Sequence, residues 1–391
     1  MNNDKDIVIT SAFRTPIGSF QGSLKDHKAT ELGTAVVKKC MEHSNLNGSE
    51  VDTIILGQVL QAGCGQNPAR QAAINSGINE DKTATTINQV CGSGLAAITL
   101  GFNSLKLNDA NIVIAGGQES MTNSPHYLNF RMGKNLSEEK LKDTMLVDGL
   151  LDAYNDYHMG VTAENIAEKY QITRNDQDNF AFNSQKKAIK AINENKFKDE
   201  IVPLKLKNQK IFDTDEYPRS DTNLEKLSNL KTVFKASGTV TAGNASGLND
   251  GAAAVTLMNY KTSIDKGLKP IAKIISWAQS GVDPKLMGTG PIPASKLALK
   301  KAGWNINDLD LVESNEAFAA QSIAVIKELG LKEDIVNVNG GAIALGHPVG
   351  ASGARILVTL VNEMQKRKSK KGLATLCIGG GMGISMCVES L

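Results

Sequence analysis

Cys91 is the side chain around which chemistry can be built. A β-favouring run, Thr83-Ala84-Thr85-Thr86-Ile87, passes through Asn88-Gln89-Val90 to Cys91-Gly92-Ser93-Gly94, where an Ala/Leu-rich helical stretch begins. A cysteine on a tight strand-to-helix bend meets the free N–H groups and partial positive charge of a helix N-terminus, which favour thiolate over thiol. The two glycines leave room for a substrate beside the sulfur. Free cysteine is otherwise a small buried hydrophobe, so its place in the chain carries the inference.

Three later clusters offer partners. In Glu313-Ser314-Asn315-Glu316-Ala317-Phe318-Ala319-Ala320-Gln321, polar residues end a strand before a helix. Taken alone, this reads as helix capping by Asn315, with Glu316 complementing the dipole. In Leu345-Gly346-His347-Pro348-Val349-Gly350, an imidazole flanked by glycine and proline is rigidly aimed, which suits a base that takes a cysteine proton. In Thr375-Leu376-Cys377-Ile378-Gly379-Gly380-Gly381, a second thiol ends a strand beside bare backbone N–H groups, as an oxyanion site requires.

These residues need elements to hold them. The 391-residue chain exceeds one comfortable hydrophobic core, which predicts two or three compact units. Val51–Gly57 and Asn111–Gly117 read as buried strands, Thr30–His43 as a helix, and Pro68 opens another helix. The alternation predicts an α/β layer with a mostly parallel sheet. Between Gln118 and about Asp250 the texture turns polar, with a helix over about Asn175–Asn195, and reads as an insertion covering one face of the core. The glycine-rich run Gly238–Gly251 reads as a substrate-facing loop.

From Lys269 the alternation resumes and repeats the first segment. Val51-Asp52-Thr53 pairs with Leu309-Asp310-Leu311, Cys91-Gly92-Ser93-Gly94 with Gly350-Ala351-Ser352-Gly353, and Ile114-Ala115-Gly116-Gly117 with Ile378-Gly379-Gly380-Gly381, at offsets of 258, 259 and 264 residues. Two similar halves, each a five-strand α/β layer, follow from this. The units expected are a first half over 1–117, completed by about 250–268, an insertion over 118–249, and a second half over 269–391.

Composition excludes other classes. Net charge is +2, and the one basic block, Lys366-Arg367-Lys368-Ser369-Lys370-Lys371, solvates a helix end, so nucleic acid is not an expected partner. Five cysteines without a close pair argue against a disulfide framework or zinc site, and no apolar run reaches membrane-spanning length. A reducing compartment, the cytoplasm, is the expected setting.

The ordered set Cys91-Gly92-Ser93-Gly94, Asn315-Glu316-Ala317-Phe318, Gly346-His347-Pro348 and Cys377-Ile378-Gly379-Gly380-Gly381 resembles the thiolase family over nearly the whole chain. Asn88-Gln89-Val90-Cys91, His158-Met159-Gly160 and Thr241-Ala242-Gly243-Asn244-Ala245-Ser246-Gly247 are similar to the short-chain, biosynthetic type. Ser314, Val349 and Cys387 depart from the common pattern without touching the chemistry. The resemblance implies a thiolase-like α/β fold with αβαβα layers and an inserted loop domain. It implies that Cys91 accepts the acyl group, that His347 activates it, and that Cys377 removes a C2 proton. One oxyanion site would join His347 to a water held by Asn315, and the other would use the N–H groups of Cys91 and Gly379. Coenzyme A would run past His158, Met159, Ser246, Leu248, Met287 and Phe318 to Arg219. The implied reaction interconverts two acetyl-CoA with acetoacetyl-CoA and CoA by ping-pong transfer, without metal or other cofactor, in a homotetramer with the insertion near its centre.

A degradative thiolase of broader chain length is the nearest alternative. A ketoacyl-ACP synthase would pair its cysteine with two histidines, or with His and Asn, and has no use for Cys377. A silent acyl-CoA binder needs none of the three reactive groups, and a cysteine hydrolase leaves the second thiol without a role.

Overall fold

The computed structural model describes residues 3–129 and 140–391. Met1 and Asn2, and residues 130–139 of the expected insertion, lie outside the described residues. The strands are β1 (Ile7–Arg14), β2 (Thr53–Gly57), β3 (Thr83–Ile87), β4 (Ile112–Ser120), β5 (Asn249–Asn259), β6 (Ala272–Gly281), β7 (Leu311–Ser314), β8 (Lys371–Ile378) and β9 (Met382–Ser390). The helices that matter for the site are α1 (Ala29–His43), α2 (Pro68–Asn75), α3 (Ser93–Lys106), α4 (Met159–Tyr170), α5 (Arg174–Asn193), α6 (Pro291–Ala302), α7 (Ala319–Leu329) and α8 (Ser352–Arg367).

The sheet runs β7-β8-β9-β6-β1-β5-β4-β2-β3, with the short strand Gly18–Ser19 added beside β5. The order is palindromic about the β1/β6 contact: β2, β4, β5 and β1 on one side answer β7, β8, β9 and β6 on the other. Within the sheet, two residue pairs, Val8 with Lys273 and Ile9 with Ala272, join the halves. The fifth strand of the second half shrinks to a single bridge, Val312 with Val336. The sheet is mixed rather than mostly parallel. Gly379-Gly380-Gly381 joins β8 to β9 as a tight hairpin, and β5 returns antiparallel between β1 and β4, both of which impose antiparallel pairing.

Apolar faces sort the helices into layers. Helices α3 and α8 lie in the middle: Leu95, Ile98, Ile356 and Leu357 share one core with Val113 and Val255 of the first half and Leu376 and Met386 of the second. Outside the first half lie α1 and α2, through Leu32, Val36 and Ala72. Outside the second lie α6 and α7, through Leu299, Val325 and Leu329. Both sheet faces are therefore covered, which is why β4 and β8 read as continuous apolar runs. Among the described residues, no helix is long and apolar enough to cross a membrane.

The polar segment between β4 and β5 is clamped to β1 by a buried ion cluster. Arg14, at the end of β1, has no exposed surface; its Nε donates to Glu200 at 2.6 Å, and Nη1 and Nη2 donate to Asp215 at 2.7 and 2.9 Å. Asp215 also accepts the N–H of Ile17, Glu200 accepts the hydroxyl of Thr359 on α8, and the guanidinium lies 4.9 Å over Phe197.

Candidate active site

The elbow at Cys91 is built from strain and small residues. Between β3 and α3, Val90 adopts φ +47°, a left-handed conformation that a β-branched residue resists by roughly 1–3 kcal/mol. Side chains hold it there: Asn88 Oδ1 accepts the Val90 N–H at 2.9 Å, while Ser93 Oγ accepts the Gln89 N–H at 2.8 Å and donates to the Val90 carbonyl at 2.7 Å. A Cβ at Gly94 would meet the Ala354 nitrogen at 2.7 Å, so this glycine lets α3 and α8 cross and brings the two halves' loops together.

His347 enters from the second half, before α8. Its backbone N–H donates to Asn249 Oδ1 at 2.9 Å, and Asn249 Nδ2 donates to the Gly18 carbonyl at 3.0 Å. Gly346, at φ +108°, packs so tightly on Asn249 that a side chain there would collide with it. Three residues on, Gly350 donates its N–H to Glu119 at 2.9 Å, and the same carboxyl accepts the N–H groups of Val59 and Leu60. Burial raises the Glu119 carboxyl to about 7 against those three donors. The imidazole is buried; Nδ1 lies 2.6 Å from Ser352 Oγ and 3.5 Å from Asn315 Nδ2, and Nε2 has no protein partner. Burial, aided by the Arg355 charge, lowers its pKa to about 3, so the ring is neutral at rest.

The two thiols are close enough for the charge of one to act on the other. Cys91 lines a cavity of about 400 Å³ with His347 and Gly379, and the N–H groups of Gly379 and of Cys91 itself point at its sulfur. Cys377 is fully buried just behind the wall, in one apolar cluster with Met159, Met287, Ala317 and Phe318. The thiolate expected from the helix N-terminus is not the resting state. Burial pushes the Cys91 thiol up to about 11 against both backbone donors, and burial followed by the neighbouring Cys91 pushes Cys377 up too. The open face of Cys91 is the cavity itself, so an apolar wall, rather than complete enclosure, desolvates the sulfur. A raised pKa means that thiolate is scarce below about 11 and grows with pH. Alkylation of Cys91 by iodoacetamide should thus accelerate about tenfold per pH unit from pH 6 to 9. A plateau below pH 8 would show a preformed thiolate and overturn this assignment.

The Thiolase, N-terminal domain family matches residues 7–261, and the Thiolase, C-terminal domain family matches residues 268–390. The chain belongs to the thiolase family. It is 55% identical to the acetyl-CoA acetyltransferase of Rhizobium meliloti (strain 1021) over 392 aligned residues, which cover 100% of both chains. It is 57% identical to the acetyl-CoA acetyltransferase of Paracoccus denitrificans, with 98% of each chain covered. The crystal structure of the Bacillus anthracis acetyl-CoA acetyltransferase superposes with a TM-score of 0.96 at 44% identity, covering 99% of each chain.

In this thiolase, the cavity gathers every residue expected to meet coenzyme A. His158, Met159, Arg219, Ser246, Leu248, Met287 and Phe318 all line it. His158 caps α4: its Nδ1 accepts the Gly160 N–H at 3.0 Å, so the neutral ring carries its hydrogen on Nε2, and the ring stacks on Phe234 at 4.5 Å. The glycine-rich run is a loop only as far as Leu248, since Asn249 already begins β5. Glu164 of α4 accepts the N–H groups of Thr239 and Val240, and Ser246 donates its N–H to the Ala317 carbonyl, so the loop is pinned against the Asn315 segment. Among the described residues, no group of three or more His, Cys, Asp or Glu side chains is arranged to hold a metal.

Asn315 is not a helix cap. Helix α7 starts four residues later at Ala319 with no side-chain cap, and Asn315 instead approaches His347 with its buried Oδ1 lacking a protein partner. Glu316 turns away from the helix dipole to bind Ser184 at 2.6 Å, Asn337 at 2.8 Å and the Ile343 N–H. Ser314 is fixed through its backbone, by both ends of the Asn337 amide. Tyr217, which lines the cavity and packs on Gly247, and Phe234, Asn249 and Glu119 escaped the sequence reading. Glu119 alone left a signal, as a carboxylate following the apolar and glycine run Ile112–Gly117 in one strand.

Proposed function

We propose that this thiolase is an acetyl-CoA C-acetyltransferase that interconverts two acetyl-CoA with acetoacetyl-CoA and CoA. The observation that carries the reading is the meeting of the half-buried Cys91 thiol and the buried His347 imidazole at one apolar cavity, with the buried Cys377 thiol packed against its wall, in a chain whose full-length relatives are named acetyl-CoA acetyltransferase.

The neutral resting state dictates the order of proton moves. His347 Nε2 takes the Cys91 proton as the sulfur attacks the thioester carbonyl of acetyl-CoA, and the Cys91 and Gly379 N–H groups receive the oxyanion. As the tetrahedral adduct collapses, the C–S bond to CoA breaks, and Cys377 gives its proton to the departing CoA thiolate. The acetylated enzyme then holds an imidazolium and a Cys377 thiolate. That thiolate can remove the C2 proton of a second acetyl-CoA, while His347 Nε2–H and a water on Asn315 steady the enolate oxygen. The enolate carbon attacks the S-acetyl carbonyl, acetoacetyl-CoA forms, and the expelled Cys91 sulfur recovers its proton from His347. Atoms and protons balance without a metal or further cofactor.

Five free thiols suit a reducing compartment, and the cytoplasm is the proposed location. A homotetramer, with the segment between β4 and β5 near its centre, is proposed from the family resemblance. Chain length is the point that decides between biosynthetic and degradative types. With CoA present, acetoacetyl-CoA should be cleaved rapidly and a long-chain 3-ketoacyl-CoA slowly, and Cys91→Ala should abolish cleavage. Comparable cleavage of the long chain would make the enzyme degradative, and no cleavage of either would remove the acetyltransferase reading.

A further inference from the structure

The duplicated halves place one serine equivalently and use it differently. Ser93 and Ser352 open the matching helices α3 and α8. In the first half the backbone uses both sides of the hydroxyl: Ser93 Oγ accepts from the Gln89 N–H and donates to the Val90 carbonyl. At the place of Gln89 the second half has Pro348, which carries no N–H. The acceptor site that Gln89 fills is thereby left open on Ser352, and His347 Nδ1 lies 2.6 Å from it. The Pro348 carbonyl, at 2.8 Å, can take the hydroxyl hydrogen of Ser352, which leaves the oxygen to accept from the ring nitrogen; Asn315 Nδ2, the other neighbour of Nδ1 at 3.5 Å, is then a contact without a hydrogen bond. Both side chains are buried, which keeps bulk solvent from competing for the bond between them.

We propose that Ser352 is a positioning residue that fixes His347 with its hydrogen on Nδ1 and reserves Nε2 for proton exchange with Cys91. The proline is part of the device. It makes the ring-facing lone pair available and blocks the brace that its counterpart makes at the Cys91 elbow. Ser352 also accepts the Nδ1 hydrogen when the ring is an imidazolium, so one hydrogen bond serves both states of the cycle. This rests on the acetyltransferase reading for its use, though the tautomer itself is a property of the resting protein.

The test combines ring nitrogen spectroscopy with kinetics. In the ¹⁵N-labelled wild-type enzyme, His347, assigned by the signal lost in His347→Gln, should carry hydrogen on Nδ1 and none on Nε2. In Ser352→Ala that tautomer should mix or reverse, and kcat/KM for acetoacetyl-CoA thiolysis should fall roughly 10- to 100-fold, mostly in kcat. A wild-type ring with hydrogen on Nε2 overturns the proposal, as does a Ser352→Ala enzyme unchanged in tautomer and rate. If the variant does not fold, the wild-type spectrum alone decides. Wild-type protein that fails to cleave acetoacetyl-CoA refutes the acetyltransferase reading, while the spectrum still judges Ser352.

Discussion

Replacing Cys377 with alanine should separate the two halves of the reaction. Exchange of deuterium into the C2 position of acetyl-CoA needs the second thiol, and should drop about 10³-fold or more. Exchange of labelled CoA with acetyl-CoA runs through Cys91 and His347, and Cys377 only protonates the CoA thiolate once it has left, a step that the imidazolium or solvent can replace, so it should slow by about tenfold at most. The geometry supports this division, since Cys377 lies behind the cavity wall among Met159, Met287 and Phe318 while Cys91 stands at the wall itself. Equal loss of both exchanges would mean that Cys377 supports the fold rather than the second half-reaction.

The second large effect concerns stability. Arg14→Ala would leave Glu200 and Asp215 buried and unpaired, and should cost about 3–5 kcal/mol in denaturant unfolding. Most of that cost is stranded negative charge, so adding Glu200→Gln and Asp215→Asn to Arg14→Met should recover much of it. A loss below about 1 kcal/mol for Arg14→Ala would show that the cluster does not hold the polar segment to β1.

Local order was legible in the sequence where consecutive residues decide it. The bend at Cys91, the duplication and the aimed imidazole follow from neighbours along the chain, and the structure brings Cys91, His347 and Gly379 to one cavity with Asn315 and Cys377 behind it. What escaped was decided by partners far away in sequence. The resting charge of Cys91 depends on how much wall surrounds the sulfur, and the wall comes from Val349, Leu150 and other distant residues. Asn315 looked like a cap because the strand-to-helix junction was read too short. Asn249 and Glu119 act on backbone N–H groups 98 and 231 residues away, a pairing that no local pattern encodes.

The place of β5 bears on synthesis. It is the inner strand between β1 and β4, yet it follows β4 in the chain by roughly 130 residues. At about 5–20 residues per second, a ribosome needs on the order of 6–25 s to supply it. Throughout that interval the nascent chain holds β1 and β4 with facing edges unpaired, the state in which strands invite wrong partners. The polar segment synthesised in between, with its two acids for Arg14, is the part of the chain that can occupy β1 while it waits.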